Sequence, residues 1–167
     1  VAEGDAPYLD HMPIGYQRYR KRSFVEFKSK EEDGAYLSSV DKLLDLMKVL
    51  YGEGVQMLPG TDDTTGFTVH RELELYQKAG IPAAKVLRMA TYDCEKYLGF
   101  EQSLGRIEAG KLAGFFLVPG DPTRNVSAVR QIRLVMKDGL LYFPSEIYQA
   151  LGIKPFATAP TLNGPAT

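Results

Sequence analysis

Val55-Gln56-Met57-Leu58-Pro59-Gly60-Thr61-Asp62-Asp63-Thr64-Thr65-Gly66 is the stretch from which the rest of the chain can be read. Residues 55–58 form a short apolar run. Pro59-Gly60 stops it, because proline donates no ladder hydrogen bond and glycine turns freely. The pattern predicts a strand followed by a polar loop. In a parallel α/β sheet, ligands meet the loops at the carboxyl ends of strands, so 61–66 is where chemistry is expected. Asp62 follows the strand closely. A carboxylate held there can bind a divalent cation or take a proton from a metal-bound water. The same residues also read as plain turn formers, with Asp62 or Asp63 capping the next helix.

Outward from this stretch the pattern is helical. Leu37, Val40, Leu43, Leu44, Met47, Leu50 and Tyr51 recur at three- and four-residue spacing, predicting a helix over 35–51 that Gly52 and Gly54 end. A second helix is expected over about 68–79, closed by Gly80. Pro82 opens a third, and Thr91 is placed to cap a fourth that ends at Gly99. After Gly99 the chain turns β-rich. Residues 115–118 read as a buried strand, Ile132, Leu134 and Met136 alternate along another, and Asp138-Gly139 is a two-residue hairpin turn. Pro144-Ser145 starts a last short helix, with Gly152 as its stop. The order is that of an α/β fold with parallel strands.

The ends are less regular. Residues 1 to about 34 show little periodicity, with Phe24, Val25 and Phe27 as a short apolar patch expected to be buried. Arg18, Arg20, Lys21 and Arg22 interleave with Tyr16 and Tyr19. That cluster suits a substrate carboxylate, a nucleic-acid strand or simply a solvated loop. Residues 157–167 read as a loose tail. The start at Val1, without methionine, fits removal of a signal peptide or excision from a longer chain.

Composition sets the limits. Of 167 residues, 44% are apolar and 25% charged, enough for one sizeable core. A complete (β/α)8 barrel, at roughly 250 residues, does not fit. Twenty basic against 21 acidic residues give a net charge of −1, so no nucleic acid or membrane partner is expected. No apolar run approaches the ~20 residues of a membrane span, so a soluble chain is expected, whether cytoplasmic, periplasmic or secreted. A single cysteine, Cys94, removes any internal disulfide. It is expected to be buried rather than reactive.

Several pieces in order resemble one family. Met57-Leu58-Pro59-Gly60-Thr61-Asp62 and Val69-His70-Arg71-Glu72-Leu73-Glu74-Leu75 come first, then Ala79-Gly80-Ile81-Pro82-Ala83-Ala84 and Leu87-Arg88-Met89-Ala90-Thr91. Leu98-Gly99-Phe100, Leu104-Gly105-Arg106-Ile107-Glu108-Ala109-Gly110-Lys111-Leu112-Ala113 and Gly120-Asp121-Pro122 complete the series. Together they resemble the end of the metal-dependent amidohydrolase superfamily, in its imidazolonepropionase- and prolidase-like branch. The resemblance implies the C-terminal portion of a (β/α)8 TIM-type barrel, followed by the C-terminal share of a small β-sandwich. Residues 1–104 would then be the last part of the barrel, with 55–58 as its eighth strand. Residues 105–156 would be the sandwich strands and short helix, and 157–167 the tail. Asp62 matches the family's strand-eight aspartate, which ligates the metal, accepts a proton from the attacking water and delivers it to the leaving nitrogen.

The departures matter as much. The family's other ligands include a His-x-His pair, and this sequence has no His-x-His. Its two histidines, His11 and His70, cannot replace them. A catalytic zinc normally takes about three protein ligands. The resemblance therefore implies a divalent metal, zinc first, held in a longer enzyme whose N-terminal part carries His-x-His. The substrate would be a small molecule with an amide, cyclic amide or dipeptide bond. A homo-oligomer is also compatible. This segment alone is expected to be inactive and to need that N-terminal part for solubility. His11, in a loop that could overhang the barrel mouth, and His70, close in sequence to Asp62, are the candidate substrate contacts; both also read as packing residues. Thr61 and Asp63 would shape the pocket. Gly114 stands where relatives carry Asp, which touches a local turn only. The run Leu58 to Gly66 lacks the Gly-Lys-Ser/Thr ending of a P-loop. Asn125-Val126-Ser127 fits a glycosylation acceptor of a common kind. The competing reading is a non-enzymatic module that reuses the barrel end and sandwich for binding or assembly.

Overall fold

The computed structural model of the chain describes residues 5–22, 26–63 and 65–162. Its helices are α1 (Ile14–Arg20), α2 (Lys30–Gly52), α3 (Val69–Lys78), α4 (Ala83–Arg88), α5 (Cys94–Leu98) and α6 (Pro144–Ala150). Its strands are β1 (Phe115–Leu117), β2 (Leu134–Lys137) and β3 (Leu140–Tyr142), with 3-10 turns at Ala6–His11 and Val126–Arg130.

The helix α2 begins five residues before its apolar pattern does. Ser29 Oγ accepts from Glu32 N at 3.2 Å, and Glu32 Oε2 accepts from Lys28 N at 2.8 Å. This Ser-x-x-Glu cap satisfies backbone donors at the helix start and lets polar residues join it. The opening, expected to be irregular, contains α1. Of its apolar patch, Phe24 and Val25 lie outside the described residues, and Phe27 is exposed. Thr91 does not cap a separate helix. Its Oγ1 donates to Leu87 O at 2.7 Å, and a π turn at Met89–Asp93 joins α4 to α5 without a break. Gly99, at φ +81°, ends the run in the left-handed conformation that glycine adopts freely.

The core is Leu73, Tyr76, Ile81, Ala83, Val86, Met89, Val126 and Val129, drawn from α3, the link to α4, α4 itself, the start of the π turn and the 126–130 turn. Met47, Tyr51 and Met57 pack against it from α2 and the segment beyond. The strand expected at 55–58 is not formed. A strand exists through its ladder partners, and no other segment among the described residues pairs with this one. The three strands form one antiparallel sheet in the order β1-β2-β3, with Phe116 opposite Val135 and Met136 opposite Leu141. At the β2–β3 turn, Asp138 and Gly139 sit at φ +52° and +77°, the two positive values that a tight hairpin needs.

The strand at 115–117, expected to be buried, is largely open. Phe116 and Leu117 are exposed, as are Leu140, Leu141 and Tyr142, and of the three strands only Leu134 is buried. The same holds for α2. Only Leu44 is buried, while Leu37, Leu43, Leu46 and Val49 are each more than half exposed. The tail residues 157–162 form no regular element, but the Arg133 guanidinium donates to Thr158 O at 3.0 Å and to Ala159 O at 3.4 Å.

Gly105, at φ +89°, lies against the π turn. A Cβ there would stand 2.9 Å from Tyr92 Cα and 3.1 Å from Glu95 Cβ. Gly110 has the same φ of +88° but open space around it. Gly105→Ala should therefore cost about 2–4 kcal/mol, from strain plus overpacking, against about 1 kcal/mol for Gly110→Ala. Urea unfolding of the two variants measures the difference.

Candidate functional site

The segment leading to Asp62 is held by α3. Tyr76 Oη donates to Leu58 O at 3.1 Å, and Gly60 N donates to Glu72 Oε1 at 3.4 Å. The two aspartates then divide the work that the sequence left open between them. Asp63 is the turn former: its Oδ1 accepts from Thr65 N at 2.8 Å and Thr65 Oγ1 at 2.9 Å. Its Oδ2 accepts from Tyr16 Oη at 2.5 Å. Asp62 is exposed, at φ +46°, and its carboxylate has no partner among the described residues. Such a φ is uncommon outside glycine, though aspartate tolerates it better than most, and it turns the chain so that consecutive carboxylates serve different neighbours.

Asp62 opens into a cleft of about 690 Å³ lined also by Tyr16, Tyr19, Arg20, Asp63, Arg71 and Glu72. One wall is α1, so the basic and aromatic cluster of the opening contributes in part. Tyr16 stacks near Phe67 and Tyr19, at 5.5 and 5.9 Å between ring centroids. Arg20 is held by Asp5. The Tyr16 hydrogen bond keeps the Asp63 carboxyl below the usual carboxylate range, while burial and Asp63 push the Tyr16 phenol up. The alternating Arg and Tyr residues of 16–20 were the only sequence signal for this wall. Nothing in the sequence spacing singled out Arg71.

Neither histidine lines the cleft. His11 stacks on Phe156 at 3.9 Å, and its Nδ1 lies 2.8 Å from Lys154 O, so it fastens the N-terminal turn to the C-terminal segment. His70 faces a separate cavity of about 100 Å³ with Arg130, Ser145, Tyr148 and Phe156. Its Nδ1 is buried without a hydrogen-bond partner among the described residues. Burial, then the Arg130 charge, depress the imidazole from 6.5 to about 4, with Glu74 pulling the other way. Cys94 is half-buried, and burial raises its thiol, which keeps it protonated.

A metal needs more than Asp62. Among the described residues no three His, Cys, Asp or Glu side chains converge, so they do not fit a catalytic zinc by themselves.

Two measurements check this arrangement. Tyr16→Phe should free α1 from the loop and speed amide hydrogen exchange across Ile14–Arg20 by about tenfold, as expected for a lost hydrogen bond to a charged group. His70 is depressed in the folded state, so the unfolded chain binds its proton first. The stabilisation is complete above pH 6.5 and is lost as pH falls towards about 4, on the order of 3 kcal/mol in all. His70→Gln should flatten unfolding free energy in that pH window.

The profile of the amidohydrolase family matches residues 37–141. A solved structure described as a Xaa-Pro dipeptidase with methionine bound in the active site is 36% identical, with a TM-score of 0.57 over 60% of this chain and 25% of its own. A second, described as an amidohydrolase, is 30% identical, with a TM-score of 0.51 over the same shares. The chain thus spans about a quarter of the length of these structures. No curated protein matches it.

Proposed function

Because the chain belongs to the amidohydrolase family, we propose that it supplies the C-terminal part of a metal-dependent hydrolase of a carbon–nitrogen bond in a small molecule. The observation that carries this is Asp62, the one carboxylate lining the cleft without a partner among the described residues, carried on an anchored loop. In this reading Asp62 takes the proton from the attacking water and returns it to the leaving nitrogen. It is also one ligand of the metal, a zinc by expectation, whose remaining ligands lie outside these residues. Thr61 and Asp63 shape the pocket around it. The segment on its own is inactive, since one carboxylate cannot hold such a metal.

The layout follows from the same reading. Residues 55–58 become the eighth strand of the barrel once other strands pair with them. The sheet β1-β2-β3 is the C-terminal share of a sandwich. The exposed apolar faces of α2 and of that sheet support this, because such surfaces are normally covered. The likeness to a Xaa-Pro dipeptidase at 36% identity supports dipeptides, beside amides and cyclic amides, as the proposed substrates.

Asp62→Asn in the full-length enzyme is the test. It keeps size and loop geometry and removes the base. Turnover should fall about 10²- to 10⁴-fold with KM little changed and the melting temperature retained. Unchanged turnover would place the base elsewhere.

A further inference from the structure

The cleft beside Asp62 carries two positive and three negative side chains: Arg20 and Arg71, with Asp62, Asp63 and Glu72. Three of these are occupied within the protein. Arg20 donates through Nε and Nη2 to Asp5 Oδ2. Asp63 accepts from Tyr16 and Thr65, and Glu72 from Gly60 N. Arg71 differs. Its neighbouring carboxylate is Glu74, whose Oε2 lies 3.7 Å from Nη1, beyond hydrogen-bond range. Both Glu74 oxygens already accept from Arg130, at 2.6 and 2.9 Å. Arg71 therefore presents a guanidinium fork to the cleft from the first turn of α3, with its side chain 29% exposed and its donors not taken up by the nearby acid.

A planar fork with free N–H groups matches a carboxylate in two parallel hydrogen bonds. The cleft's excess of one negative side chain disfavours a dianion such as a phosphate. It suits a monoanion that also carries a cationic or neutral part. We propose that Arg71 binds a free carboxylate of the substrate, so that the cleft selects small molecules ending in one, as a dipeptide does. Asp62 and Arg71 then address different ends of one molecule, the bond to be cut and the carboxylate that holds it in place. This rests on the hydrolase reading only in placing the scissile bond near Asp62. The carboxylate contact itself is a matter of binding.

The experiment measures binding and hydrolysis together on the full-length enzyme. The probes are a panel of dipeptides, each paired with the same dipeptide capped as its C-terminal amide. Calorimetry is run on the wild type, Arg71→Met and Arg71→Lys. Arg71→Met should weaken binding of the free dipeptides by about 10- to 100-fold and leave the capped ones unchanged. Arg71→Lys should recover part of that loss, because it keeps the charge without the fork. Equal weakening of free and capped forms, no weakening at all, or wild-type binding of neither form would overturn the assignment. If the free dipeptides bind through Arg71 but are not cut, the carboxylate site stands and the hydrolase reading falls.

Discussion

The arrangement depends on one buried ion pair. Arg130, with a side chain 3% exposed, donates through Nε and Nη2 to the two carboxylate oxygens of Glu74. Taking two charges out of water is costly unless each fully satisfies the other, so the geometry is permissive of one register only. That register joins α3 to the 126–130 turn. Gln77, one turn further along α3, closes the same junction by accepting from Val126 N and donating to Arg124 O. Tyr8 covers the guanidinium at 3.7 Å and brings the N-terminal turn with it.

With α3 fixed on that side, its other residues are free to position the cleft. Glu72 and Tyr76 hold the segment that delivers Asp62, and Arg71, the residue just before Glu72, lines the same cleft. Glu74 links the two functions. Because Arg130 takes both of its oxygens, Arg71 meets that acid only as an ion pair at 3.7 Å, beyond hydrogen-bond range. Burial and the Arg130 charge depress His70, against the opposing pull of Glu74, in the small cavity that the ring faces. A buried ion pair and a cleft-lining guanidinium thus share one carboxylate.

The outer surfaces follow a different logic. A chain with 44% apolar residues buries a modest core here, centred on α3, α4 and one 3-10 turn. Much of the remaining apolar surface stands on α2 and on the sheet. The apolar spacing of α2 was legible as a helix because the period is local. Which part of it would be buried was not, since burial depends on what lies opposite. The buried strand expected at 115–118 fails for the same reason. For the site, the apolar run and Pro-Gly stop marked the loop at 61–66, while the choice of Asp62 over Asp63 came from the family resemblance. Tyr16 and Arg20 come from chain more than 40 residues earlier, and no local pattern assigns them to that loop.

What the sequence determined by itself is what neighbouring residues settle among themselves. The Asp138-Gly139 hairpin, the stop at Gly99 and the Pro82 opening are all local backbone chemistry, settled within a few residues. Tertiary structure alone decided which aspartate turns the loop and which faces the cleft. It also set His11 and His70 apart from that cleft and left residues 55–58 without a ladder. Each of these is fixed by a partner distant in sequence: Tyr16 for Asp63, Phe156 for His11, Arg130 for His70, and a paired strand for 55–58. Side-chain type limits which bonds a residue can make. Only the fold brings the second partner into contact.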